Sequence, residues 1–225
     1  MKNIVVFSGA GISAESGLGT FRDSGGLWDK YKIEDVATPQ AFKKNPELVL
    51  EFYNIRRREL LSSSPNSAHY ALNKLQDNFN LQIITQNIDD LHERSGTKNV
   101  LHLHGHLRQS KSTLNEMVYQ IEGSELILGD ICPNGSQLRP NVVWFGESVP
   151  MMEKAIEIVK KAHLFIIIGT SLNVYPAASL IHYTLSSCEK YIIDPNAEHV
   201  EDIKVIRELA SVSVPKLVDQ ILEMK

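Results

Sequence analysis

The chain has 225 residues, 43% of them hydrophobic, which is enough for one sizeable core or for one domain plus a small lobe. Its 23 Lys+Arg against 27 Asp+Glu give a formal charge of -4, which excludes a global basic footprint for nucleic acid and a polybasic membrane anchor. Cys132 and Cys188 are too few and too far apart for a disulfide framework, and no apolar run approaches the ~20 residues that span a bilayer. The N-terminus runs into a core strand rather than a cleavable signal, so a cytoplasmic protein with no membrane partner and a monomeric state are expected.

The first strand, 3–7, feeds directly into Gly9-Ala10-Gly11-Ile12-Ser13-Ala14. Read as G-x-G-x-x-A, Gly9 permits a tight turn, Gly11 lets a pyrophosphate approach the backbone, and Ala14 permits close helix–strand packing. A dehydrogenase would continue into a second strand ending in an acidic ribose ligand about 20 residues on. Instead Phe21-Arg22-Asp23-Ser24-Gly25-Gly26-Leu27-Trp28 reads as a glycine-rich flap over a ligand, and hydride transfer loses ground.

Further strands are predicted over 81–85, 100–104, 141–145, 164–169, 191–194 and 211–214, and helices over 46–61, 67–77, 89–95, 151–162, 176–185, 198–208 and 215–224. This alternation, with continuous apolar runs such as Leu164-Phe165-Ile166-Ile167-Ile168, predicts an α/β fold with a doubly wound parallel, Rossmann-like sheet. Residues 23–61 and 105–139 fit it poorly and are assigned to a smaller inserted lobe, leaving 1–22, 62–104 and 140–225 to the sheet domain.

Three strand ends carry candidate chemistry, since open α/β sheets bind ligands at their carboxyl ends. Thr85-Gln86-Asn87-Ile88-Asp89 closes one, although Asn87 or Asp89 can equally cap the following helix. His102-Leu103-His104-Gly105-His106 closes another. His102 and His104 share a face, but a metal needs further ligands and no CxxC or HExxH accompanies them. A single general base, His104 beside the Gly105 turn, is the better reading, with His102 and His106 structural. Gly169-Thr170-Ser171 follows the most apolar strand and offers hydroxyls and N–H groups to a second phosphate or ribose.

Together, Gly9-Ala10-Gly11-Ile12-Ser13, Thr20-Phe21-Arg22, Thr85-Gln86-Asn87-Ile88-Asp89, His104-Gly105, Val142-Val143-Trp144-Phe145-Gly146-Glu147 and Gly169-Thr170-Ser171 resemble the sirtuin family, NAD-dependent protein lysine deacylases, over nearly the whole chain. The resemblance implies that Ala10, Thr20, Phe21 and Arg22 hold the NAD phosphates and nicotinamide ribose. It implies that Asn87 and Asp89 line the nicotinamide pocket, with Gln86 and Ile88 also among the cofactor-binding residues, and that His104 is the base. In the family mechanism the acyl oxygen of a modified lysine attacks the anomeric carbon of NAD, nicotinamide leaves, and the acyl group ends on ADP-ribose. A peptide would lie along Val142 to Phe145 as an added strand, with the acyl-lysine between Trp144 and Phe145. Tyr53 and Arg56, at i and i+3 of a helix, resemble the Tyr-x-x-Arg pair by which one sirtuin class binds succinyl and malonyl groups.

The chain departs from the family in three places. Four zinc cysteines are usual, and only Cys132 stands here, so no zinc is expected and the lobe must rest on packing from Leu114, Met117, Val118, Tyr119, Ile121, Leu126, Ile127 and Leu128. Asp194 replaces an Asn at the adenosine ribose. Asp23 and Ser24 replace small apolar residues near the acyl pocket. The expected function is removal of acetyl or succinyl from lysine; the alternatives are ADP-ribosyl transfer or NAD hydrolysis, and an NAD or ADP-ribose sensor without turnover.

Overall fold

The computed structural model describes residues 1–19, 30–170, 172 and 175–223. Six parallel strands form the main sheet in the order β3 (Val100–His102), β2 (Asn80–Thr85), β1 (Asn3–Ser8), β7 (Leu164–Ile168), β8 (Glu189–Ile193) and β9 (Lys204–Ile206). The chain winds outward in one direction from β1 and in the other from β7, so the crevice between their carboxyl ends is the switch point where doubly wound sheets bind ligands.

The alternation along β1 decides which layer each residue joins. Ile4 and Val6 pack with Ile83, Ile166 and Ile168 under helices α5 (Ser67–Lys74) and α8 (Ala210–Glu223). Val5 and Phe7 face the other way, with Phe165 and Ile167, under α7 (Met152–Val159) and the 3-10 turn Ala177–Tyr183. Both faces are covered, which is why these strands read as unbroken apolar runs.

Two predicted elements are overturned at the C-terminal end. The alternating Ser211-Val212-Ser213-Val214 is helical and continues through Pro215 as one helix, α8. Val214, Leu217, Val218 and Ile221 bury one stripe of it against α5, and that packing overrides β-propensity. Pro215 removes the N–H that would reach the Ser211 carbonyl, and Ser67 Oγ donates to that carbonyl instead at 2.6 Å. The predicted helix 198–208 is likewise absent: Lys204–Ile206 pairs with Tyr191–Ile193 as the edge strand β9.

The smaller lobe combines α2 (Ile33–Val36), α3 (Pro39–Lys44) and α4 (Pro46–Ser62) with an antiparallel sheet of β5 (Val118–Gln120), β4 (Gly105–Ser112) and β6 (Leu138–Val142). The strand predicted at 141–145 thus belongs to this second sheet and starts earlier. Of the residues expected to pack the lobe, only Ile121 and Leu126 are buried, against Leu50; Leu114, Met117, Val118, Ile127 and Leu128 are exposed. A different apolar cluster, with Val36, Val49, Phe52 and Leu60 of the helices against Leu107, Val142 and Trp144, holds the lobe together, and polar bonds fasten the 124–126 turn to it. Asn54 pairs with both backbone groups of Leu126, and the fully buried Arg57 donates to the carbonyls of Leu107 and Ser124 at 2.8 and 2.7 Å.

Two buried histidines brace α5 to the sheet. His92 Nε2 lies 2.9 Å from Ser8 Oγ, and its ring meets that of His69 edge-on at 4.9 Å. Burial pushes His69 down to about 4 and His92 well below its ordinary value. The folded protein therefore binds fewer protons here than the unfolded chain, so stability is full above pH 6.5 and is lost as pH falls from 6.5 towards 4. For His69 alone that is about 3 kcal/mol. Denaturant unfolding at pH 7.5 and 4.5 is expected to show this loss, and His69→Gln should flatten the slope; an unchanged slope would exclude His69 as its source.

Candidate active site

The carboxyl ends of β1 and β7 meet through their backbones. Gly9 N–H donates to the Ile168 carbonyl and Gly11 N–H to the Gly169 carbonyl, both at 2.9 Å. A Cβ on Gly11 would stand 2.6 Å from Gly169 Cα, and one on Gly169, whose φ is +61°, would stand 2.4 Å from Ile12 N. The glycines therefore serve the close approach of two loops. The N–H groups of Gly11, Ile12 and Ser13 are committed to the carbonyls of Gly169, Gly9 and Ala10.

From β2 comes the next layer. Asn87 commits both amide hydrogens, to the Gly9 carbonyl at 3.1 Å and to Ser13 Oγ at 3.2 Å, and Ser13 Oγ donates to Asp89 Oδ2 at 3.0 Å. Asp89 Oδ1 also accepts from Leu91 N–H, two residues on; the N-cap of the helix beginning at Leu91 is Asp90, so neither Asn87 nor Asp89 is its cap. Burial pushes the Asp89 carboxyl up, and the Leu91 and Ser13 bonds work against that rise. Gln86 Nε2 donates to Thr170 Oγ1 at 3.0 Å, joining the β2 and β7 loops.

His104 sits where the chain leaves the parallel sheet for β4. Gly105, at φ +84°, turns so tightly that a Cβ would meet the Asn141 carbonyl oxygen at 2.1 Å. His104 Nδ1 donates to the Gln86 carbonyl at 3.0 Å, which fixes the tautomer and leaves Nε2 as the acceptor. Burial holds the imidazole below its ordinary value, so it is neutral at pH 7.

One cavity of about 730 Å³ gathers these groups. Gly9, Ala10, Gly11, Ser13, Gln86, Asn87, Ile88, Asp89, His104, Gly169, Thr170 and Asp194 line it, as do Tyr53, Arg56, Val142, Val143, Trp144 and Phe145. Thr20, Phe21, Arg22 and Ser171, and the substitutions Asp23 and Ser24, lie outside the described residues. Tyr175, Asn196 and Leu209 also line the cavity and went unforeseen, because they come from three separate loops with no shared motif.

The three consecutive arginines of α4 separate by helical geometry. Arg57 points into the lobe, Arg58 pairs at the surface with Glu51 and Glu125, and Arg56 reaches the cavity beside Tyr53. Tyr53 accepts from Trp144 Nε1 at 3.0 Å, and burial pushes its phenol up to about 12, so it retains its proton as a donor. Trp144 itself is clamped. Arg139 stacks 3.4 Å from its ring centroid and pairs bidentately with Glu147, which also accepts from Trp144 N–H.

The peptide strand expected along Val142 to Phe145 meets an obstacle. Val143, Trp144 and Phe145 donate their N–H groups to His104 O, Glu147 and Ala37 O, so none is open to an added strand. Nor do Trp144 and Phe145 form a matched pair, since Trp144 is buried while Phe145 is 47% exposed. The zinc expectation can be tested on the donors at hand. Cys132 Sγ donates to Ser112 Oγ at 3.5 Å, and Ser136 Oγ lies 3.3 Å from Ser112 Oγ and 2.7 Å from Thr113 Oγ1. One thiol among hydroxyls does not fit a structural zinc ion.

A family model described as the Sir2 family matches residues 9–176. The chain belongs to the Sir2 family. An NAD-dependent protein deacylase of Bacteroides thetaiotaomicron is 50% identical over 96% of this chain and 97% of its own length. One of Helicobacter pylori is 50% identical over 100% and 99%. Among solved structures, a Sir2 homolog–NAD complex superposes with a TM-score of 0.91 at 39% identity, covering 99% of this chain and 90% of the other. The Sir2 fold, a parallel α/β sheet with a separate small antiparallel sheet, is the one described above. Among the described residues no helix is long and apolar enough to cross a membrane.

Gly169→Ala is expected to destabilise the protein by about 2 kcal/mol or more, from the left-handed backbone and the clash with Ile12. Gly17→Ala, with positive φ but nothing within 4 Å of the added Cβ, should cost only the backbone part. Equal losses in chemical denaturation would show that loop approach is not the constraint at Gly169.

Proposed function

We propose that this cavity transfers the acyl group of a modified lysine to NAD, with His104 as the general base and Asn87 and Asp89 around the reacting ribose. The chain is an NAD-dependent protein deacylase, and NAD is its co-substrate. The observation that carries the residue roles is one neutral imidazole with a fixed Nε2 acceptor, in the same cavity as a buried carboxylate and a locked carboxamide.

In this reading the acyl oxygen attacks the anomeric carbon, the bond to nicotinamide breaks, and positive charge develops at the ribose. The Asp89 carboxylate stabilises that charge at low dielectric. Asn87, with both amide hydrogens spent, presents its carboxamide oxygen. His104 Nε2 then takes the proton of a ribose hydroxyl, which attacks the acyl carbon; the carbon–nitrogen bond breaks, the lysine amine leaves with a proton, and a water molecule opens the bridge to the anomeric carbon, so the acyl group ends on ADP-ribose. Gly9, Ala10, Gly11, Gly169, Thr170 and Asp194 line the remainder of the NAD site, and Asp194, at the end of β8, can accept from a ribose hydroxyl. The protein partner enters over the exposed Phe145, with the acyl chain directed towards Tyr53 and Arg56.

The Tyr53 phenol proton and the Arg56 guanidinium support preference for an acidic acyl group, because both offer donors to a carboxylate. The free thiols Cys132 and Cys188 support action in a reducing cytoplasm.

The protein incubated with NAD and matched acetyl-lysine and succinyl-lysine peptides is expected to yield nicotinamide and deacylated peptide in equal amounts. Nicotinamide alone would replace this reading with NAD hydrolysis, and neither product would leave a sensor. His104→Ala should lower kcat by about 100-fold or more. Since burial lowers the His104 pKa, wild-type activity should persist into mildly acidic solution and fall as pH drops through a value below 6.5. Arg56→Met should cut desuccinylation about tenfold or more while sparing deacetylation; equal losses would remove Arg56 from acyl selection.

A further inference from the structure

The histidine two residues before the base is placed in nearly the same way, with one difference that changes its charge. His102 Nδ1 lies 2.9 Å from the Asn87 carbonyl, as His104 Nδ1 lies 3.0 Å from that of Gln86. Carbonyls only accept, so each Nδ1 carries a proton. His104 Nε2 is then free to be a base, but His102 Nε2 lies 2.7 Å from Glu93 Oε1, a second acceptor. Burial pushes the Glu93 carboxyl up, but the His102 bond and charge hold it below its ordinary value, so it is ionised and only accepts; between it and the Asn87 carbonyl His102 holds two protons and is an imidazolium.

A metal ion could satisfy Glu93 and His102 in place of the proton, and His106 stands close enough to complete a three-donor group. His106 Nδ1, however, accepts the Arg108 N–H at 3.1 Å, which puts the ring proton on Nε2 and leaves neither nitrogen open to a metal. The proton between His102 and Glu93 is the cation this geometry selects.

We propose that His102, kept charged by Glu93, is a positioning residue for the reaction, fixing through its Nδ1–H the Asn87 carbonyl and through its charge the ionised Asp89. The proposal rests on the deacylase reading above. Strand β3 carries His102 and helix α6 (Leu91–Arg94) carries Glu93, so the pair ties the loop 86–90 from behind, on the side away from ligand. The groups facing His102 are Glu93 and His92 of α6, Asp89 of the loop and His106 of β4, and beyond them Asp90 and Arg108 act on His106. Burial opposes the charge on His102, and the Glu93 hydrogen bond and charge outweigh it, leaving the imidazole above its ordinary value. The His102 charge in turn counters the rise that burial imposes on Asp89.

The sign of the pH dependence follows. Activity that needs charged His102 is present at neutral pH and is lost as pH rises through the His102 pKa, opposite to the acid-side loss set by His104. Glu93→Gln keeps a hydrogen-bonding group but removes the charge, so the alkaline limb of kcat/KM for NAD should move to lower pH by about one pH unit, with the acid limb unmoved. At pH 8 this variant should release nicotinamide about tenfold more slowly than wild type and recover towards it near pH 6.5. His102→Gln, neutral at every pH, should be slow throughout and lack the alkaline limb. Thermal melts report whether each variant is folded, and nitrogen-15 spectra of the wild-type histidine rings should show both His102 nitrogens protonated at pH 7.5.

An active wild type whose Glu93→Gln profile superimposes on its own would overturn this role alone. So would a His102 ring with one proton, or stoichiometric zinc bound in the wild type and lost in His106→Ala. A folded wild type that consumes no NAD with either peptide would overturn the deacylase reading and this role with it.

Discussion

Everything in the cavity depends on how closely two backbone turns approach at the centre of the sheet. The Gly11 N–H reaches the Gly169 carbonyl only because neither residue has a Cβ, and from that contact the geometry radiates outward. The Gly9 carbonyl left facing the crevice accepts from Asn87, and Ser13, one turn on, joins Asn87 to Asp89. Thr170, beside Gly169, accepts from Gln86, whose own carbonyl orients His104. Four loops are thereby cross-linked, and Asn87, Asp89 and His104 stand in a preorganised, low-dielectric setting.

The second lobe supplies the other wall, attached through an apolar cluster of Val36, Phe52, Leu60, Leu91 and Leu107. Arg57 and Asn54 of α4 fasten the 124–126 turn through backbone atoms, and hydroxyls of Ser112, Thr113 and Ser136 surround the lone thiol of Cys132. Arg139 and Glu147 then clamp Trp144, which bonds Tyr53. The Tyr53 end of the cavity is therefore as fixed as the glycine end, and Arg56 stands within electrostatic range of both Tyr53 and Asp89.

Much of this was legible in the chain. The glycine pairs, the strand-end Gln86-Asn87-Ile88-Asp89 and His104-Gly105 occupy short segments whose residue types have few other uses, and the resemblance of those motifs to sirtuins agrees with the Sir2 model match. The apolar strands 81–85 and 164–168 were equally plain, because burial on both faces leaves no polar positions to blur them. The region 198–214 misled: a β-branched alternation became helix and a charged helical pattern became an edge strand, since the choice lay with the partners α5 and β8, which local propensity does not contain.

The sequence by itself determined the fold class, the family and the strand-end motifs that line the cavity, because each follows from periodicity or from a short motif with a fixed backbone requirement. Only the tertiary structure decided the protonation and partners of those residues. Three successive arginines took three environments, two histidines two apart took different charges, and the lobe residues expected in a core stayed at the surface. The physical reason is that charge state and burial are set by neighbours distant in the chain. Glu93 beside His102, Gln86 beside His104 and Leu126 beside Asn54 are contacts that no local pattern encodes.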